Sequence, residues 1–349
     1  MLGKNLALAA AGNAGGGGAT DIAMVSNNSP YITVYPYESG TGFGTKYSNP
    51  ASLPENEAAG VDFSPDGSYL AAAHNDGGRV SVWPWSSSGF GTRYSNPSTL
   101  PNGVGLSVAF SPDGNDIAVG YSTANYISVY PWSASGFGTK YSDPGSKPNG
   151  DGRDVVWSPD GSYIATANDS GTGLHVNVWN WSSGFGTKVA AKNLGTGSDG
   201  HSVAFSPDGN YIAAASQLTP YVHAWPWSAS GFGTKYSNPS TLPTGTGRRV
   251  AFSPDGNNLA VGHSSSPYIT VYPWSASGFG TKYSNPSTAL PNTVRGVSWS
   301  PDGNDLLLGH TSSPWITAYS WSASGFGTKY ANPASLPATN SYDIAFKPT

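Results

Sequence analysis

The string Gly-Phe-Gly-Thr followed by Lys or Arg occurs seven times, with its first Gly at 42, 89, 136, 184, 231, 278 and 325. The intervals are 47, 47, 48, 47, 47 and 47 residues. A second string, Ser-Pro-Asp-Gly, occurs six times, with Pro at 65, 112, 159, 207, 254 and 301. The chain ends on a truncated copy, Phe346-Lys347-Pro348-Thr349. Self-similarity at this period constrains the fold more than any other feature. One unit cannot bury its apolar face alone, so successive units must stack against each other in an array or a ring.

Within a unit the signals are those of short strands. Val250-Ala251-Phe252-Ser253 is apolar, and Pro254-Asp255-Gly256-Asn257 is a turn in which Pro presets φ and Gly or Asn accepts positive φ. Asn258 to His263 reads as a second strand, and Tyr268 to Trp274 as a third with period-two alternation. Phe279 to Tyr283 reads as a fourth, more polar strand before a Pro-rich loop. Composition agrees: 46 Gly and 28 Pro among 349 residues leave little room for helix. The 13% aromatic content and net charge of −4 argue against disorder and against an electrostatic nucleic-acid binder. With no Cys there is no disulfide framework and no thiol-ligated metal. No apolar run is long enough to span a bilayer as a helix.

Val-Ala-Phe-Ser-Pro-Asp-Gly, then Leu-Ala or Ile-Ala, then Ile-Thr-Val-Tyr resembles the WD-repeat β-propellers, over residues 20–349. The resemblance implies an all-β, seven-bladed propeller of four-stranded blades. The copies depart from that family where its Gly-His and Trp-Asp pairs should stand; the latter becomes Tyr or Trp followed by Pro36, Pro84, Pro131, Pro226, Pro273, Asn180 or Ser320. The family's buried His–Asp network is therefore not expected. The close likeness of the copies resembles recently amplified bacterial or phage propellers.

The ends of the chain predict how the ring closes. Asp21 to Val25 aligns with second strands, and Ser341 to Phe346 with first strands. The C-terminal strand should complete the N-terminal blade, so that no sheet edge is left exposed. Residues 1–19 fall outside the repeat and read as an N-terminal arm with a Gly-rich spacer, or as a short signal peptide.

Differences between copies point to a site. Just before each first strand stand Ala59, Leu106, Arg153, His201, Arg248, Arg295 and Tyr342. The resemblance places this position on the top face beside the central channel. Four consecutive blades carry Arg or His there, in a chain with six Arg. His263 and His310, at the ends of second strands, are expected to join them, whereas Arg249 should be turned away by strand alternation. Arg supplies bidentate donors for an anionic group, and Tyr and His supply stacking and hydrogen bonds. The repeated turn Asp residues read as structural, and the repeated Lys as a solvated outer edge. The repeated Trp85, Trp132, Trp181, Trp227, Trp274 and Trp321, with Tyr37 in the seventh place, are expected to pack on the Phe of Gly-Phe-Gly.

No catalytic motif, cofactor fingerprint or metal site emerges. His74, His263 and His310 fall in separate blades, too far apart to share a metal. Three Arg and a Tyr invite comparison with sialidases, but there are just three Glu, at 38, 55 and 57. The sequence therefore reads as a non-enzymatic module, virion-associated or extracellular, although a cytoplasmic location stays open. The module would bind a glycan or an anionic or protein partner by its top face, with residues 1–19 available for docking to an assembly. The alternatives are a structural scaffold or a sialidase-like glycosidase. Neither nucleic acid nor membrane is expected as a partner.

Overall fold

The computed structural model describes residues 19–170 and 173–349. The expected arm, residues 1–19, lies outside the described residues except for its last position. Seven four-stranded antiparallel sheets form a closed ring, and the architecture is a seven-bladed β-propeller. Blade 1 is composite. Strand Ser341–Phe346 lies innermost in it and pairs with Thr20–Ser26, with Ile22 opposite Phe346 and Met24 opposite Ile344.

Blade 6 shows why the repeat folds as it does. Strand Gly247–Phe252 turns at Ser253-Pro254-Asp255-Gly256 into Asn258–His263. Asp255 accepts hydrogen bonds from the Ser253 hydroxyl (2.5 Å) and the Asn257 N–H (3.0 Å), while Gly256 takes φ +73°. The turn Asp residues are thus engaged in the local turn. Leu259 and Val261 are fully buried, as are Val250 and Phe252 opposite them.

The fourth strand is shorter than expected. In blades 1, 2, 3, 5 and 6 it is the Gly-Phe pair alone, as in Gly278–Phe279. The cause is the proline third from the end of the third strand, which has no N–H to give to the ladder. Where Asn180 or Ser320 replaces it, the outer strand runs on as Phe185–Lys192 or Gly325–Lys329. The repeated Lys is not a free edge charge: Lys282 Nζ donates to the Tyr283 carbonyl (2.9 Å) and to Asn285 Oδ1 (2.5 Å).

Aromatic rings join the blades. Trp274 meets Phe279 edge-on at 5.1 Å between centroids, and meets Tyr236 from the preceding blade at 5.2 Å. The same Trp–Phe contact recurs in every blade, with Tyr37 and Phe43 at 5.4 Å in blade 1. These residues are structural, and such pairs add about 0.5–1.5 kcal/mol each beyond their burial. Among the described residues no helix is long and apolar enough to cross a membrane.

Candidate functional site

Each inner strand begins with a register shift, between Gly247 and Arg249 in blade 6 and at matching places in blades 2, 3, 4, 5 and 7. A bulge inserts one extra residue and re-aims the side chains around it. Here the extra residues are those that differ most between copies. They converge at one end of the channel around a recess of about 190 Å³ lined by Ala59, Leu106, Arg153, His201, Arg248, Arg249, Arg295 and Tyr342. Five of the side chains singled out in the sequence, Arg153, His201, Arg248, Arg295 and Tyr342, therefore meet.

Their environments differ. Arg153 forms an ion pair with Asp169, with Nε donating at 3.1 Å. Arg248 donates from Nη1 to His201 Nε2 at 3.3 Å, so that imidazole nitrogen is an acceptor. Burial, reinforced by Arg248 and Arg153, drives the His201 pKa down to about 3, and the ring is neutral at physiological pH. Burial also lowers the Arg248 pKa, and the charges of Arg295 and Arg153 add to the shift. The guanidinium of Arg295 lies 4.7 Å above the Tyr342 ring, a cation–π contact. Burial raises the Tyr342 pKa, and a hydrogen bond to Glu57 raises it further. The phenol is thus protonated and donates to a carboxylate. The Nε atoms of Arg248, Arg249 and Arg295 are buried and have no partner. A recess with clustered guanidiniums and unused N–H groups is suited to an anion.

The structure corrects the expectation for Arg249. Because the bulge falls just before it, Arg249 points into the channel and forms the recess floor, at 7% exposure. It bridges the ring, reaching Asp154 two blades back at 3.0 Å and Asp343 in the C-terminal strand. Asp154 also accepts from the hydroxyls of Ser202 (2.9 Å) and Ser107 (3.2 Å), and Asp343 from the Val61 N–H (3.2 Å). Comparison of the copies could have flagged this second ring, since its other positions are Gly60, Ser107, Ser202 and Gly296.

His263 and His310 do not join the recess. Both are fully buried, with Nε2 against the hydroxyls of Thr270 and Thr317 at 3.0 Å, and His74 meets Ser81 in the same way at 2.9 Å. These histidines fasten the second strand to the third within a blade. Among the described residues no group of three side chains is placed to hold a metal.

The family model for the WD domain, G-beta repeat, matches residues 54–84 and 192–217. Together with seven four-stranded blades in a ring, that match decides the assignment. The chain is a WD-repeat-type β-propeller. No curated protein sequence matches it significantly. Solved structures of similar shape include the periplasmic gluconolactonase of Pseudomonas aeruginosa, with a TM-score of 0.76 at 17% identity, over 95% of this chain and 99% of that one. A candidate 6-phosphogluconolactonase from Bacteroides uniformis aligns with a TM-score of 0.71 at 17% identity, over 94% and 99% of the two chains. The Kuenenia stuttgartiensis hydrazine synthase aligns with a TM-score of 0.62 at 17% identity, over 82% and 88%.

These likenesses concern the fold, and they correct the functional expectation. A WD-repeat-type propeller of this shape was expected to be a non-enzymatic binding or virion protein with no catalytic role. Two of the structural neighbours named above are called gluconolactonases, one of them acting on a 6-phosphate. Carboxylates are also nearer to the recess than the three Glu suggest, because Asp154 and Asp343 hold Arg249 and Glu57 accepts a hydrogen bond from Tyr342.

Proposed function

We propose that this WD-repeat-type propeller is a hydrolase of a small anionic lactone, with its active site in the recess at the channel mouth. The observation that carries the reading is the set of four guanidiniums around about 190 Å³, a space for one sugar-sized molecule and not for a polymer. The names of the structural neighbours support the reaction class.

Lactone hydrolysis needs a water to attack the ring carbonyl, a group to take that water's proton, and positive charge where the oxyanion develops. Arg248 and Arg295 supply fixed positive charge with unused buried N–H groups. Arg153 is held by Asp169 at the rim and orients the substrate's anionic group. The Tyr342 hydroxyl and the Glu57 carboxylate that accepts its hydrogen bond form the acid–base pair. Glu57 takes a proton from the attacking water through Tyr342, and Tyr342 returns it to the leaving ring oxygen. His201, neutral, holds Arg248 in place as an acceptor.

The test is acid release from glucono-δ-lactone and from its 6-phosphate, measured against spontaneous hydrolysis. A saturable acceleration is expected. Arg248→Ala and Arg295→Ala should each lower kcat/KM by about 10²-fold, the effect of one lost charge-assisted donor. No acceleration over buffer with either lactone would overturn the proposal.

A further inference from the structure

The face opposite the recess carries the a second feature, and it follows from an irregularity between copies. At the start of the second strand, three blades have Tyr69, Tyr163 or Tyr211. Each phenol ring packs on the Trp of the next blade, at 5.3, 5.2 and 5.5 Å between centroids. In those three interfaces the indole N–H groups of Trp132, Trp227 and Trp274 have no partner. Blades 1, 3 and 7 have Asp21, Asp116 and Asp305 at this position, and blade 6 has Asn258; the interface behind Asp116 differs from the others. The Asp116 carboxylate takes the hydroxyl of Tyr141 (2.9 Å) and the N–H of Trp181 (3.2 Å), and no ring covers the indole from that side.

A second change coincides with the first. The hairpin after Trp181, Ser182-Ser183-Gly184, is one residue shorter than Ser133-Ala134-Ser135-Gly136 after Trp132. In the interfaces on Trp132 and Trp274 the longer hairpin's Ala carbonyl accepts the Tyr94 or Tyr236 hydroxyl. Here Tyr141 bonds to Asp116 instead, as Tyr47 does to Asp21 and Tyr330 to Asp305, but only this interface combines the Asp with the shortened hairpin. The result is a groove of about 660 Å³ between blades 3 and 4, of a size that takes small ligands. Tyr141 and Trp181 stand at 87° to each other as two aromatic walls. Asp113, Asp116 and Asp160 line it together with three prolines, and no basic side chain does.

We propose that this groove binds a small aromatic amine. The chain itself supplies the template, since a phenol ring occupies the matching place in three sibling interfaces. The change from Tyr to Asp removes that ring and adds a carboxylate, so the complementary occupant is a ring that carries a positive charge. Cations are drawn to the faces of Trp and Tyr rings by the ring quadrupole. Burial works against ionisation of Asp113 and Asp160, but hydrogen bonds from Ser111 and Ser158 hydroxyls and neighbouring N–H groups hold both below the usual carboxylate range. Burial raises Asp116, and an ammonium beside it would keep it ionised.

The experiment is a titration of the full chain with tyramine by calorimetry and ligand-observed NMR, with p-cresol as the ring lacking charge. Saturable tyramine binding at one site is expected, at least tenfold tighter than p-cresol. Asp116→Tyr, which restores the sibling side chain, should weaken tyramine at least tenfold. Asp113→Asn with Asp160→Asn should weaken tyramine and leave p-cresol unchanged, a second readout if the first variant folds poorly. Arg248→Ala, in the recess, should change neither. Absence of tyramine binding, or equal binding to the parent and to both groove variants, would overturn the proposal.

Discussion

Replacing Arg249 by Met tests whether the buried charge bridge holds the ring shut. Arg249 joins Asp154 of blade 4 to Asp343 of the C-terminal strand, and the three residues are 7%, 0% and 1% exposed. Removing the cation leaves two buried carboxylates facing each other across the channel. Breaking a buried pair in this way costs about 3–5 kcal/mol. The hydroxyls of Ser107 and Ser202 and the Val203 N–H still serve Asp154, and the N–H groups of Val61 and Ile344 still serve Asp343. They soften the loss without neutralising it. For a chain of this length the unfolding entropy is about 0.7 kcal/mol/K, so the expected drop in Tm is about 4–7 °C. Calorimetry measures it. Hydrogen exchange of residues 341–346 should quicken in the same variant, because Asp343 belongs to the strand that closes the ring. Adding Asp154→Asn and Asp343→Asn should recover most of the loss, because neutral amides have no buried charge to compensate. A single variant within 1 °C of the parent (roughly 0.7 kcal/mol by the same entropy), or a triple variant as unstable as the single one, would refute the reasoning.

Acid should destabilise the protein well before its carboxylates titrate. Burial lowers the pKa of His201 and His223 to about 3, and of His263 and His310 to about 4. The unfolded chain takes up protons near pH 6.5 that the folded chain refuses. Stability is therefore full above that pH and falls as pH drops toward 4, with a slope of up to about 1.4 kcal/mol per pH unit for each His. Tm measured from pH 7.5 to 4.5 should fall accordingly, and less steeply in a His263→Gln, His310→Gln variant; a flat profile in the parent would contradict the burial argument. Deleting residues 340–349 should expose the inner edge of blade 1 and remove Asp343, giving aggregation or loss of the cooperative transition by calorimetry; a truncated chain that melts like the parent would count against closure by this strand.

The repeat by itself determined the ring. A 47-residue unit with turn signals at fixed offsets leaves four short strands per copy, and an offset start and finish leaves one blade to be completed by the C-terminus. The Trp–Phe packing was legible for the same reason: residues alike in every copy serve contacts that every copy makes. The convergence of Arg153, His201, Arg248, Arg295 and Tyr342 was legible too, because equal spacing in a ring brings equivalent positions to one axis. Tertiary structure decided what lies inside the period. The bulge at each inner strand turned Arg249 into the channel, against simple alternation. Proline's missing N–H cut five outer strands to two residues. His263 and His310, polar and at strand ends, were expected at the surface, yet each found a Thr hydroxyl on the adjacent strand seven residues later and was buried there. The Asp154–Arg249–Asp343 bridge joins residues from three blades, and only the closed ring brings them within reach of one another.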